Sequence, residues 1–397
     1  MVKKDRALIV NKLYLLIMLH PLYQTHLENQ LEPSELLFFN ILINMLQDIK
    51  EVSLEKLASA IPIPILFESR RKKVQRFLSL PSLNVQTLWF PIIKDLLAQN
   101  FSENQLVYLV IDRTIWERKN LIMISLIYDS RAIPIYFEFL TKLGSSNFDE
   151  QTKFISHILG LFKKYKAVIL GDREFCSIKL ANWLRDQNLL FCTRLKKNEF
   201  IETENGVWSE LNDLGLKPGI SFFIEGVKLT KTQKIGGFNL AGKWKRKIRG
   251  SVPNEGWFIL TNLDNLDLAI ASYKKRFGIE EMFRDFKSGG YNMENTNVTG
   301  NRLISLILII AIAYTSATFK GQKIKRKGVQ KYVGRVKESG RVQRRHSSFY
   351  IGLYGQTWVN FMESCWGFVT QLMKLNRNRL EYYLQGQKAM NHVLSAL

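Results

Sequence analysis

Cysteine is scarce in this 397-residue chain: Cys176, Cys192 and Cys365 are unevenly spaced and form no C-x-x-C pair. Neither a disulfide framework nor a zinc ribbon can be built from them, and the scarcity suits a reducing, cytoplasmic compartment. Acidic side chains are short as well, 35 against 57 Lys and Arg, which leaves a formal net charge of +22. That balance suits a polyphosphate partner, nucleic acid first, with a merely soluble basic protein or one touching anionic lipid as the alternatives. Long hydrophobic runs are missing. The most apolar stretch, Leu303–Tyr314, stops short of the ~20 residues that cross a bilayer before Thr315, Ser316 and Thr318 intervene. It reads as a helix buried on all sides, with no membrane partner. Missing too is a small-x-small cleavage site after Lys3, Lys4, Arg6 and the apolar Leu13–Leu19. With His20-Pro21 following, that segment reads as a buried amphipathic helix.

What is present is enough hydrophobic sequence, 46%, for one large core and one or two smaller units. Residues 1–100 carry helical spacing. From Ser53 two short helices, separated by Pro62 and Pro64, suggest a helix-turn-helix variant, and the second bears Arg70, Arg71, Lys72 and Lys73 as a candidate DNA-facing edge. From Gln105 the texture changes: Leu106–Ile111 is a buried-strand run, and two β-rich stretches between Leu121 and Leu140 flank the turn Asp129-Ser-Arg131. Helix at 151–165, strand at 167–170, helix at 178–186 and strand at 189–195 follow. Three antiparallel strands and then alternating helix and strand describe an α/β, RNase H-like core, a mixed sheet flanked by helices. Its first part is expected over 101–195, a β-rich insertion over 196–260 and its second part over 261–319. Residues 320–346 carry eleven Lys and Arg against one acid, Glu338. They read as a basic connector in which Lys325, Arg326 and Lys327 are candidate DNA contacts. A helical C-terminal region, 347–397, closes the chain, with Trp358, Phe361, Trp366 and Phe368 available for a small apolar cluster.

Two aspartates sit at corresponding places. Asp112 follows the strand Leu106–Ile111, and Asp172 follows Ala167–Leu170 through one glycine. Strand ends are where functional groups converge, so both carboxylates are expected to face one cleft. Carboxylates there suit phosphoryl chemistry, because hard divalent cations prefer oxygen ligands and two ions can activate one oxygen and stabilise the other. A third acid comes from Tyr273–Lys287, which reads Y-x2-R-x3-E-x6-K. Spacings of three, four and seven place Tyr273, Arg276, Glu280 and Lys287 on one helical face, with Glu281 turned about 100° away. Glu174, Glu281 and Asp285 are the competing acids.

That spacing resembles bacterial insertion-sequence DDE transposases with the Tyr-Arg-Glu-Lys signature, a cut-and-paste group. Val110-Ile-Asp112-Arg-Thr114 is similar to the family's first-aspartate block, and Gly171-Asp172-Arg-Glu-Phe175 to its second. The resemblance covers about Gln105 to Tyr314. It implies that Asp112, Asp172 and Glu280 are catalytic and hold two Mg2+ (or Mn2+) ions, and that Tyr273, Arg276 and Lys287 grip phosphates. It further implies that Trp257 stacks on a base flipped out of the DNA end, although Phe277 stands where a second tryptophan is common. The activity implied is metal-dependent cleavage at terminal repeats, a hairpin intermediate and strand transfer into target DNA, by a homodimer in the bacterial cytoplasm. Another RNase H-like nuclease or resolvase, a catalytically silent end-binding inhibitor, and a membrane-associated basic protein remain the alternatives.

Overall fold

The computed structural model describes residues 21–202, 206–229, 235–246, 255–337, 339 and 346–396. The segment Leu13–Leu19 and the cations Arg341, Arg344 and Arg345 lie outside the described residues. By mutual contact the chain forms two compact units, residues 1–92 with 285–397, and residues 93–284.

The first unit opens with α1 (Pro21–Gln30), α2 (Pro33–Ile49), α3 (Leu54–Ala60) and α4 (Phe67–Phe77). A capping box between Glu32 and Glu35, with Pro33 in the first turn, starts α2. Ser53 caps α3 through the Lys56 N–H at 3.3 Å, and Pro62 and Pro64 fall in the loop before α4. These are the two short helices expected there. A π-helical turn, Val85–Trp89, leads into α5 (Phe90–Asn100), which enters the second unit.

The second unit is built on β1 (Leu106–Trp116), β2 (Lys119–Tyr128) and β3 (Arg131–Phe139), an antiparallel meander. Asp129 and Ser130 both take positive φ, 47° and 63°, as a tight hairpin turn requires. After α6 (Phe148–Ser156) and α7 (Leu159–Phe162), β4 (Lys166–Gly171) pairs parallel with β1; after α8 (Ile178–Asp186), β5 (Leu190–Arg194) pairs parallel with β4. The order β3-β2-β1-β4-β5 is the RNase H-like core. The insertion supplies β6 (Phe200–Glu202), β7 (Trp208–Glu210), β8 (Ser221–Leu229) and β9 (Ile235–Lys243), and β10 (Trp257–Thr261) follows. The insertion does not stand apart: β10 pairs antiparallel with both β5 and β9, giving one ten-stranded sheet, β3-β2-β1-β4-β5-β10-β9-β8-β6-β7.

Two helices follow β10. α9 (Leu266–Lys274) and α10 (Phe277–Phe286) are separate, where the spacing had suggested one continuous helical face. The N–H groups of Lys275, Arg276, Gly278 and Ile279 all bond three residues back, at 3.0–3.1 Å, so the helix tightens and re-aims between Tyr273 and Ile279. Ile279, Met282, Phe283 and Phe286 form the buried stripe of α10. Gly278 packs on the β2–β3 hairpin, where a Cβ would lie 2.9 Å from Ile127 Cδ1.

The remaining helices belong to the first unit: α11 (Gly300–Arg326), α12 (Ser348–Ser364), α13 (Trp366–Leu375) and α14 (Leu380–Leu394). Contrary to the short span read from sequence, α11 is long and apolar enough to cross a membrane; 89% of its most apolar window is nevertheless buried in the protein, as expected of a core helix. It also runs through residues read as the start of a basic connector, because Gly321 and Gly352 let α11 and α12 touch backbone to backbone. A Cβ on Gly321 would meet Ser348 O at 1.7 Å, and one on Gly352 would meet Ala317 O at 1.7 Å. Trp358 packs on the cluster of Ile324, Ile351, Val359, Met390 and Val393 and stacks on Tyr332. Phe361, Trp366 and Phe368 do not join it; all three are exposed.

Candidate active site

Asp112 lies inside β1, opposite Met123 of β2, and not at a strand end. The strand continues because Arg113 to Trp116 still pair with β2. On the other side, however, pairing with β4 ends at Val110↔Leu170. Asp112 therefore faces an edge where the sheet has opened, and Asp172, one residue beyond β4, sits across that opening. Gly171 between strand and aspartate is sterically required, since a Cβ would lie 2.7 Å from Phe175 Cβ.

Arg276, in the tight turn between α9 and α10, draws these groups together. Its guanidinium bonds Glu280 one turn further on and stands 3.6 Å from Asp112 Oδ2. The Arg276 side chain is only 10% exposed. It lies over the Phe277 ring at 4.9 Å and the Tyr273 ring at 5.8 Å. Trp257 meets Tyr273 edge-on at 5.2 Å and Phe277 at 6.0 Å. The aromatic residues thus form a shelf that backs Arg276, with Tyr273 buried and Trp257 half-buried. Lys287 comes after α10 has ended and pairs with Glu294 at 2.7 Å.

The competing acids have other partners. Glu281 pairs with Arg284 and with Arg131 at 3.6 Å, Asp285 is buried, and Glu174 is bonded to Arg113 and Ser146. Burial is the largest influence on Glu174 and acts upward, but the Arg113 and Ser146 donors hold its carboxyl below the usual range.

Asp112 behaves in the opposite way. Burial pushes it up to about 7; the Arg113 N–H opposes this, Asp172 pushes further, Arg276 draws it back and Glu280 adds a last upward push. This is a carboxylate short of positive charge. Carboxylate oxygens are the donors that hard divalent cations take, and a guanidinium already bridges Asp112 and Glu280 as an ion would. Among the described residues no three His, Cys, Asp or Glu side chains are close enough to share one ion.

Several groups here escape a motif search. Glu255 joins Arg173 at 2.6 Å and Arg194 at 2.7 Å, tying the entrance of β10 to the loop after Asp172. Beside Trp257 opens a cleft of about 280 Å³ lined by Arg194, Lys243, Lys245, Glu255, Ile270 and Lys274. The sequence feature that could have pointed to this cleft is the lysine content of residues 196–260.

The other basic candidates divide. On α4, Lys72 and Lys73 are exposed, while Arg71 is shared between Glu55 and Glu68. At the end of α11, Lys325 donates to His346 O at 2.9 Å and Lys327 bonds His392 O and Ser395, whereas Arg326 is exposed. Lys320 is buried, donating to Gln356 Oε1 at 3.1 Å.

The family model described as transposase DDE domain matches residues 109–316, which contain Asp112, Asp172 and Glu280. No curated protein matches. Among solved structures, the cryo-EM structure of the piggyBac transposase synaptic complex with hairpin DNA is similar at 16% identity. That match covers 91% of this chain and 76% of the other, with a TM-score of 0.44.

Proposed function

The chain belongs to the transposase DDE domain family, and from that we propose that it is a cut-and-paste enzyme of the insertion-sequence kind with the Tyr-Arg-Glu-Lys signature, working in a bacterial cytoplasm. Asp112, Asp172 and Glu280 are its catalytic carboxylates. The observation that carries this reading is Arg276 bonded to Glu280 and 3.6 Å from Asp112, with Asp172 close enough to raise Asp112.

Two Mg2+ or Mn2+ ions, when bound by these carboxylates, would activate the attacking oxygen and stabilise the leaving one. The chain's own residues supply the rest. Arg276 is the cation that keeps Asp112 and Glu280 facing one another until DNA and ions arrive, and is then free to bind phosphate. Trp257 offers a ring for a base displaced from the duplex, worth ~1–3 kcal/mol by stacking, and the cations of the adjoining cleft take the backbone of that strand. Tyr273, being buried, acts through the shelf beneath Arg276. Lys287, Lys72, Lys73 and Arg326 are further phosphate contacts, with Arg70, Arg71, Lys325 and Lys327 in supporting positions beside them. The substrates are the terminal repeats and then target DNA, with a hairpin intermediate and two copies of the chain in the DNA complex.

The test is cleavage of DNA carrying the terminal repeats, with Mg2+ or Mn2+ present or chelated, by wild type and Glu280→Gln. Metal-dependent nicks and hairpins from wild type alone, with both proteins binding the DNA, support the proposal. Equal cutting by the two removes Glu280 from the site. Binding without cutting by either leaves a silent end-binding protein.

A further inference from the structure

Each aspartate of the site is held by a backbone N–H, and the two residues that supply those N–H groups are bonded to each other through their side chains. Arg113 N donates to Asp112 Oδ1 at 2.7 Å, and Glu174 N donates to Asp172 Oδ1 at 2.9 Å. The Arg113 fork grips the Glu174 carboxylate, Nε lying 3.0 and 3.1 Å from its oxygens and Nη2 2.8 Å from Oε2. Both side chains are 13% exposed.

The pair is anchored at both ends. Arg113 Nη1 donates to Asn120 Oδ1 at 3.0 Å, and the Asn120 amide donates to the carbonyls of Lys142 and Gly144. Glu174 Oε1 accepts from the backbone N–H and the hydroxyl of Ser146, both at 2.9 Å. With those donors added to the Arg113 fork, its roughly four lone-pair sites are filled. Glu174 is therefore no spare ligand; its acceptor capacity is spent on geometry.

That geometry has something to set. Backbone pairing between β1 and β4 stops at Val110↔Leu170, so the sheet itself does not hold Asp112 against Asp172. Among the described residues, the Arg113–Glu174 bridge spans the opened edge directly beside them. We propose that this bridge is the gauge that fixes the separation of the Asp112 and Asp172 carboxylates, and so their joint affinity for divalent ions. Both are positioning residues, and the inference rests on the reading that these two aspartates hold metal. A planar fork is needed at position 113, because a lysine ammonium is a point charge that does not fix a carboxylate in two places.

The test is Mn2+ titration of the metal-free full-length protein followed by electron paramagnetic resonance, for wild type, Asp112→Asn, Glu174→Gln and Arg113→Lys. Thermal unfolding of the same samples shows which variants are folded at the titration temperature. Wild type is expected to take up Mn2+ and to show a spin-coupled pair. Asp112→Asn abolishes tight uptake. Glu174→Gln and Arg113→Lys weaken it about 10–100-fold, as loss of an outer partner of a metal ligand does, and lose the coupled signal while folded. Should Glu174→Gln not fold, Arg113→Lys and Glu174→Asp decide the matter by the same readout. Folded variants that bind Mn2+ like wild type, coupled signal included, overturn the gauge and leave the proposed function standing. Wild-type uptake that is insensitive to Asp112→Asn overturns the metal reading, and the gauge with it.

Discussion

Arg276 and Asp112 form a near contact, Nη1 to Oδ2 at 3.6 Å, between a guanidinium already bonded to Glu280 and a carboxylate that burial drives toward neutrality. On the proposed reading of the site, the arginine supplies part of the positive charge that a divalent ion would bring.

Replacing Arg276 with Gln leaves Asp112 and Glu280 without that charge. Glu280 is half-exposed, so the loss is expected to be moderate, ~1–3 kcal/mol. Added Mn2+ should recover more of the stability of this variant than of wild type, since the variant lacks its resident cation. Thermal midpoints with and without Mn2+ measure this. Equal Mn2+ shifts in the two proteins would mean that Arg276 does not substitute for an ion.

Asp112 also gives a pH signature. Its folded pKa of about 7 lies above the ordinary 3.8, so between those values the native state holds more protons than the unfolded chain. The contribution of Asp112 to stability is present at low pH and is lost as pH rises from about 4 to about 7. The slope is at most about 1.4 kcal/mol per pH unit. If Asp112 holds an ion as proposed, metal affinity is expected to run the opposite way over that window, because the ion needs the ionised carboxylate. Denaturant titrations from pH 4 to 8 on metal-free wild type and Asp112→Asn test the first statement. Stability profiles that run parallel would place the Asp112 pKa near its ordinary value.

Much of this arrangement was legible beforehand, and the parts that were not share a cause. Strand alternation and the Asp129-Ser130 turn are local, and so was the meander they encode. The spacing of Arg276 and Glu280 is one helical turn and survives the break before α10. Lost to sequence were features decided by distant partners. β1 continues past Asp112 because β2 accepts it, and β10 joins β5 across 65 to 69 positions. Arg113 meets Glu174 from 61 residues away, although both stand inside the blocks that revealed the aspartates. Lys320–Arg326 looked like a connector because charge dominates their composition; what makes them helix is the contact of Gly321 with α12.

That contact yields a stability prediction. Gly352→Ala places a methyl where Ala317 O now lies, so α11 and α12 must separate, at an expected cost of ~3 kcal/mol or more. Gly367→Ala is the control, on exposed α13 with no atom within 4 Å of the new methyl. It should stabilise by ~0.5–1 kcal/mol through helix propensity. Urea unfolding followed by tryptophan fluorescence reads both. Similar midpoints for the two variants would show that the helices tolerate separation.

DNA affinity should resolve the basic candidates by what each is already bonded to. Every phosphate contact adds about 0.9 to the slope of log affinity against log salt. A cation committed to a protein carbonyl contributes less, because binding DNA would first cost it that bond. Lys72→Ala, Lys73→Ala and Arg326→Ala, which remove exposed cations, are each expected to flatten the slope by about that amount. Lys325→Ala, which removes a donor to His346 O, and Lys320→Ala, which removes a buried partner of Gln356, should leave the slope unchanged. Those two should instead lower the unfolding midpoint. The decisive comparison is Arg326 with Lys325, neighbours on one helical turn. If both flatten the slope alike, position along the basic run governs DNA binding; if only Arg326 does, the fold has already divided the run into structural and DNA-facing charges.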